Sequence, residues 1–271
     1  MTREAELRRA IDGGELELHY QPKVCIRTGK ITGAEALVRW RSPALGLVPP
    51  HEFIPLAEES GLIVPLGEWV IDTACRDASV GWSDGQNAGS PSVAVSVNIS
   101  ASQLRVDRPV DMLQSALNRH GLSPGLLEIE LTESTVVTDV HSATGNLLEI
   151  AELGVRVAID DFGTGYSNLS QLGRMPISTL KIDRSLVTGI AVSRRDAVIV
   201  RAIVGMGHAL GMRVVAEGVE TTSQLSALRI ASCDEVQGYL IARPMDASTF
   251  GAWLRNWNGS AISRRAILDE D

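Results

Sequence analysis

Short runs of apolar, β-branched residues alternate along the chain with longer stretches in which apolar side chains recur every three to four positions. The runs short enough to be buried strands are ELELHYQP (15–22), ITGAEALVRW (31–40), SVAVSVNI (92–99), LLEIELT (126–132), VRVAID (155–160), STLKID (178–183), RVVAEG (213–218) and DEVQGY (234–239). Between them lie helical patterns: HEFIPLAEESG after Pro49 and Pro50, DMLQSALNRHG, HSATGNLLEIAELG, RRDAVIVRAIVGMGHALG and TTSQLSALRI. Proline starts and glycine stops bound several of them. Strand and helix in turn predict a parallel sheet, and about eight such units in roughly 250 residues predict a closed α/β barrel of the TIM type. The first two strands are joined without a helix, so that connection departs from the simple pattern. No low-complexity linker marks a second domain. The barrel is expected over residues 1–257, followed by a polar tail, 258–271, that is either loose or docked through RRAILDED as a short helix.

Composition narrows the function. The chain has 271 residues, 44% of them apolar, enough to bury a sizeable core. Against 25 Lys and Arg stand 33 Asp and Glu, a formal net charge of -8, which works against a nonspecific hold on a nucleic-acid polymer or an anionic membrane. Cys25, Cys75 and Cys233 are far apart and form no CxxC pair, so neither a disulfide framework nor a thiolate metal site is expected, and a cytoplasmic setting fits. The charged start MTREAELRRA is no export signal. The longest apolar run, near Ala197 to Leu210, is broken by Arg201 and His208.

In a barrel of this kind the chemistry sits where strands end and the following loops begin. Those positions hold Glu35, Asn98, Glu130, the adjacent Asp160 and Asp161, Lys181, Glu217 and Gln237. Each alone reads equally well as a helix cap or a satisfied backbone partner. Independent caps, however, have no reason to fall at the same point on seven strands. Five carboxylates then share one mouth, with Lys181 as the cation in this set. Two like charges about 4 Å apart at an effective dielectric near 20 repel by roughly 4 kcal/mol, so the group must take up protons or bind cations. All-oxygen ligands point to Mg²⁺ or Mn²⁺ rather than Zn²⁺, and Ca²⁺ would also bind. Two ions bridged by one carboxylate suit in-line displacement at phosphorus, which makes phosphodiester hydrolysis the leading reaction class.

Other motifs carry less. GTGYSN (163–168) resembles GxGxxG but ends in Asn168 and follows a fifth strand, so a dinucleotide fold is discounted. GMGHALG (205–211) lies inside a helical pattern and reads as close packing. His19, His51, His120, His141 and His208 are scattered, with no nucleophile elbow beside them.

EALVRW, beginning at Glu35, resembles the signature of the EAL-domain cyclic di-GMP phosphodiesterases. The similarity extends through YQPKV, PPHEFIPLAEESGLI, VSVNIS, EIELTES, IDDFGTGYSNL, LKIDRSLV, VVAEGVET and QGYL, in the family's order and over nearly the whole chain. The resemblance implies a modified TIM-type (β/α)8 barrel with one antiparallel strand, in keeping with the missing first helix. It implies a cytoplasmic bacterial enzyme that hydrolyses cyclic di-GMP to linear pGpG with two Mg²⁺ or Mn²⁺ ions per site and works as a homodimer. By position, Glu35, Asn98 and Glu130 match ligands of one metal, and Asp160 a bridge to the second. Asp161 and Glu217 match groups serving that second metal or its water. Lys181 matches a lysine that holds or polarises the attacking water, while Glu217 also matches a proposed general base, and the two roles stay open. Gln21, Leu37, Arg39 and Gln237 match residues lining the substrate cleft, Arg39 against phosphate. Glu133 is similar to a glutamate supporting the loop after the aspartate pair, Phe162, Gly163, Thr164 and Gly165, which in the family couples dimer interface to metals. Departures are slight: Arg243 stands where lysine is more usual and Leu186 where phenylalanine is common. A cyclic di-GMP receptor that has lost catalysis would lack a strand-end carboxylate, and none is lacking. A Mg²⁺-dependent lyase or isomerase would need a proton-abstracting Lys or His, for which the strand ends offer Lys181.

Overall fold

The computed structural model describes residues 2–271 apart from 81, 83–92, 106–107, 139, 164, 166–171, 260–261 and 263–271. Most of the expected tail and Thr164 therefore lie outside the described residues. The strands are β1 (Leu16–Cys25), β2 (Ile31–Ser42), β3 (Gly46–Val48), β4 (Ala94–Asn98), β5 (Leu127–Thr132), β6 (Arg156–Phe162), β7 (Thr179–Ile182), β8 (Arg213–Ala216), β9 (Glu235–Gln237) and β10 (Met245–Asp246). The helices are α1 (Arg3–Gly13), α2 (Pro50–Ser60), α3 (Ile63–Val80), α4 (Ala101–Leu104), α5 (Pro109–His120), α6 (Glu133–Thr138), α7 (Val140–Glu152), α8 (Arg184–Gly189), α9 (Arg194–Ala209), α10 (Thr222–Ile230) and α11 (Ala247–Asn256).

The sheet runs β10-β1-β9-β8-β7-β6-β5-β4-β2-β3, and an added β1–β2 pairing closes eight of these strands into a barrel. β2 and β4 to β9 pair in parallel, whereas β1 is antiparallel to both β2 and β9. A hairpin explains the absence of a first helix: β1 turns directly into β2 across residues 26–30, and two strands joined by so short a turn must run antiparallel. β2 also continues past the barrel, where Trp40, Arg41 and Ser42 pair with β3. Glu35 consequently sits in mid-strand rather than at a strand end.

Alternation along each strand sets two environments. In β4, β5, β7 and β8 the outward residues are apolar, for example Val95 and Val97, Ile129 and Leu131, Leu180 and Ile182, and Val214 and Ala216, and all are buried in the core. Each such Val, Leu or Ile side chain contributes about 1.5–3 kcal/mol by leaving water. Of the inward residues, Ser96, Glu128, Glu130, Thr179 and Lys181 are polar yet equally buried, and Val215 on β8 is apolar. A polar interior inside an apolar shell obliges every inward group to find a partner there.

Local signals fix the helix ends. Ser100 and Gln103 form a capping box on α4, and Thr221 and Gln224 form one on α10. Gly121 ends α5 with φ of 64°, a left-handed conformation that glycine adopts without steric penalty. The close packing expected of GMGHALG resides in one of its glycines. A methyl at Gly207 would lie 2.6 Å from Val214 Cγ2, while nothing stands within 4 Å of one at Gly205. Since Ala is favoured over Gly by about 1 kcal/mol in a helix interior, Gly205→Ala is expected to raise stability by up to that amount. Gly207→Ala, on the same helix, is expected to lower it by about 1–3 kcal/mol through overpacking against a stiff β-branched side chain. Urea denaturation of the two variants measures both signs; equal shifts would contradict the packing role of Gly207.

Candidate active site

Lys181, fully buried on β7, gathers the acidic mouth of the barrel. Its ammonium lies 2.6 Å from Glu217 Oε1, 3.0 Å from Asp160 Oδ2 and 3.5 Å from Glu35 Oε2, and it also donates to Glu130 Oε2. These acids come from four different parts of the wall: β2, β5, β6 and the residue following β8 surround a donor on β7. Glu35, Glu130 and Asp160 present oxygens within 4.8 Å of one another, and so do Asp160, Asp161 and Glu217. Asp160 belongs to both triads.

Adjacent residues of a strand point to opposite faces, so Asp160 and Asp161 reach one site only if the strand breaks between them. It does. Asp161 has φ of 55°, and the β6–β7 register shifts between Ile159 and Phe162. Aspartate tolerates this left-handed conformation better than most non-glycine residues. The Asp161 N–H donates to Asp160 Oδ1 at 2.8 Å, which orients the shared carboxylate. Phe162 belongs to the strand and is buried in the core rather than lying in the loop. Beyond it Gly163 takes φ of 101° and donates its N–H to Glu133 Oε2 at 3.1 Å. A methyl at Gly165 would stand 2.9 Å from Glu133 Oε1. Glu133, itself buried at the start of α6, thus packs against both described glycines of the turn.

The remaining expected residues surround Glu35. Asn98 donates through Nδ2 to Glu35 Oε1 at 2.9 Å, so its own carbonyl oxygen is not used in that contact. Gln237 Nε2 donates to Glu35 Oε2 at 2.7 Å and to Gln21 Oε1 at 3.1 Å, and Gln21 Nε2 reaches Ala242 O at 3.1 Å. Alternation along β2 puts Glu35, Leu37 and Arg39 on one side. Leu37, Arg39 and Asn98 line a cavity of about 310 Å³ beside the acids, backed by Ile54, Ile63 and Gln103. Arg39 Nη1 donates to Val38 O at 2.9 Å, and partial burial lowers the affinity of its guanidinium for a proton. Just outside, Arg243 stacks over the Tyr239 ring at 4.2 Å.

A second buried ammonium, absent from the expected set, lies one layer deeper. Lys23 donates to Glu128 Oε1 at 2.8 Å, Ser96 Oγ at 3.0 Å and Glu130 Oε1 at 3.0 Å. Glu128 Oε2 in turn accepts from Thr179 at 2.8 Å. Glu130 is therefore gripped on both oxygens, by Lys23 on one and Lys181 on the other. The period of two holds the signal: Lys23 is two residues from Gln21, Glu128 two from Glu130, Ser96 two from Asn98 and Thr179 two from Lys181.

Charge balance in the upper layer is incomplete. Burial pushes the carboxyls of Glu35 and Asp160 up, and that of Glu217 well above its usual range, against the pull of Lys181. Asp161 is raised as well, by burial and then by Asp183. Glu130 differs: burial acts against its charge, yet Lys181 and Lys23 together hold it below the ordinary value. Burial acts against the charge of Glu128 too, but Lys23 and Arg156 outweigh it and hold that carboxyl down to about 2. Two ammonium groups do not neutralise the mouth. What it lacks is positive charge, and its donors are hard oxygens with no histidine or cysteine in either triad, a set that fits Mg²⁺ or Mn²⁺.

The EAL domain family profile matches residues 4–244. The bifunctional diguanylate cyclase/cyclic di-GMP phosphodiesterase MucR of Pseudomonas aeruginosa is 46% identical over 242 residues, 89% of this chain and 35% of that protein. The cyclic di-GMP phosphodiesterase NbdA of the same organism is 43% identical over 267 residues, 98% of this chain and 34% of that protein. This chain therefore spans about a third of the length of these curated relatives. Among solved structures, the c-di-GMP complex of the PaMucR phosphodiesterase superposes with a TM-score of 0.86 at 45% identity, covering 92% of this chain and 100% of that one. The EAL enzyme Bd1971 in its cAMP- and cyclic-di-GMP-bound form gives 0.87 at 35% identity, covering 93% and 68%.

Two outcomes follow from the charge balance. A carboxyl whose proton affinity rises on folding contributes stability that is complete below the unfolded pKa and is lost as pH rises through the folded value. In metal-free protein, raised Glu35, Asp160 and Glu217 should make the melting temperature fall as pH climbs above about 4.5, the ordinary glutamate value. Mn²⁺ should reverse the fall, and Glu217→Gln should flatten it; a slope unchanged by that substitution would contradict the assignment. Deeper in the barrel, Lys23→Met removes one cationic partner from each of two buried carboxylates and should cost about 3–5 kcal/mol in urea denaturation. Adding Glu128→Gln to that variant should restore part of the loss, and a strictly additive pair would remove the coupling.

Proposed function

The chain belongs to the EAL domain family, and from that membership together with the site we propose that it is a divalent-metal-dependent phosphodiesterase that opens one phosphodiester bond of cyclic di-GMP to give linear pGpG. The observation that carries this reading is the pair of carboxylate triads sharing Asp160 at the mouth of the barrel. Glu35, Glu130 and Asp160, with the Asn98 carbonyl, are the residues to hold one cation. Asp160, Asp161 and Glu217 are those to hold the second. Bound there, divalent cations supply Lewis-acid neutralisation of the phosphoryl oxygens and acidify a water for in-line attack.

The chain's own groups provide the rest. Asn98 and Gln237 each donate to one oxygen of Glu35, which fixes the plane of that carboxylate. Lys23 and Lys181 fix Glu130 in the same way. A ligand carboxylate held on both sides need not reorganise as charge develops, and preorganisation of this kind is where most electrostatic catalysis originates. Arg39, in the cleft beside Glu35, offers a forked donor to a substrate phosphate, and Leu37 an apolar surface to a base. Lys181 and Glu217 are the two groups assigned to the attacking water, the ammonium as a hydrogen-bond donor to its oxygen and the carboxylate as acceptor of its proton. The leaving 3′ oxygen departs on the opposite side of phosphorus, and the product keeps a 5′-phosphate.

Incubation with cyclic di-GMP and Mg²⁺ or Mn²⁺, followed by chromatography, should yield pGpG. Glu35→Ala should lower turnover by at least about a hundredfold while the chain stays folded. Ligand binding without pGpG in either metal would assign the chain a receptor role instead, and full activity in Glu35→Ala would remove that residue from the site.

A further inference from the structure

The opposite mouth of the barrel has its own chemistry. A cavity of about 880 Å³ opens there, among the start of β2, the starts of β8 and β9, and the ends of β1, α9 and α10. Arg213 and Glu217 are four residues apart along and just beyond β8, so the cavity lies roughly 13 Å from the acidic mouth at about 3.3 Å per residue. It is lined by three guanidinium groups, those of Arg27, Arg213 and Arg229, together with His208 and the hydroxyls of Thr32 and Ser232.

Two acids also line the cavity, and both already have partners, most of them in the same lining. Asp234 Oδ2 accepts the Val214 N–H at 2.9 Å and contacts His208 Nε2 at 2.9 Å. Glu235 Oε2 accepts the Thr32 hydroxyl at 2.9 Å, and its other oxygen stands 3.6 Å from Arg213 Nη1, a loose contact. Among the described residues, Arg229 Nη2 donates to a carbonyl and to no carboxylate: Ile26 O at 3.3 Å. Arg27, exposed on the β1–β2 turn, has no side-chain partner among the described residues. Three guanidinium groups against the two carboxylates of Asp234 and Glu235 leave the lining one positive charge in excess, in a chain whose net charge is -8. Among the described residues Arg213 alone of the three meets carboxylates, Glu235 at 3.6 Å and the deeper Glu128 at 4.0 Å. Guanidinium groups stay charged throughout the working pH range and bind oxyanions through paired N–H donors.

We propose that this cavity is a second anion site, separate from the acidic mouth, which takes a small ligand bearing two or more phosphate negative charges. Arg27 and Arg229 supply contacts from the turn and from the end of α10, and Arg213 supplies the floor. The volume accommodates a ligand up to nucleotide size, since pockets for such molecules run to several hundred cubic ångströms.

Isothermal calorimetry of the full chain with sodium pyrophosphate, in buffer free of added divalent cations that would sequester the probe, tests the assignment. One saturable site is expected. The exposed pair Arg27→Ala and Arg229→Ala, combined, should weaken it by at least about tenfold, while Arg39→Ala in the catalytic cleft should leave it unchanged. Absence of saturable binding would overturn the proposal. So would binding that survives the double substitution but disappears with Arg39→Ala, because the anion would then be seated in the catalytic cleft.

Discussion

Like-charge repulsion at the acidic mouth is the constraint on which the rest of the structure depends. Five carboxylates converge there, four of them on the single buried ammonium of Lys181. In a low-dielectric interior such a set is unstable unless positive charge is supplied. The protein supplies part of it with Lys181 and a further part with Lys23 one layer below. The carboxyls left with raised proton affinity, Glu35, Asp160, Asp161 and Glu217, belong to the two triads that share Asp160. The site is thereby built to compete for cations, with protons as the alternative.

Holding these charges in place is the task of the fold. An apolar outer face on each strand secures the barrel wall against the helices, and the same alternation commits the inner face to polar residues. The ordinary period of two cannot bring adjacent aspartates to one point, and the left-handed backbone at Asp161 solves this locally. Gly163 follows with its N–H on Glu133, so the turn after the break is tied to the start of α6. Strain, register shift and the glutamate contact are thus parts of one arrangement that presents Asp160 and Asp161 together.

Much of this is legible in the sequence, for identifiable reasons. Eight apolar runs spaced by helical patterns yield the barrel because strand and helix periods differ and each run is short. The antiparallel β1 is foreshadowed by the lack of a helix between its end and Ile31. Glu35, Glu130, Asp160 and Glu217 stand out because a charged residue beside an otherwise apolar run needs a reason to be there. Lys23 escapes this reading since the reversed direction of β1 moves it from a strand's far end into the deeper layer, where only its spacing from Gln21 marks it. The bend at Asp161 escapes because backbone conformation at a single aspartate leaves no trace in composition. Extension of β2 into β3 depends on tertiary pairing, so Glu35 reads as a strand end when it is mid-strand. Arg27, Arg213 and Arg229 are distant in sequence and are gathered into one cavity by the barrel alone.

The two mouths of the barrel differ in charge: carboxylates gather at one end, three guanidinium groups beside two carboxylates at the other, with Lys23 and Glu128 between them. The central claim concerns the acidic end, and counting bound Mn²⁺ by electron paramagnetic resonance during titration of the full chain tests it most directly. Two ions per chain are predicted, with Asp160→Asn weakening both because that carboxylate belongs to each triad. A single ion, or two ions indifferent to Asp160→Asn, would contradict the account.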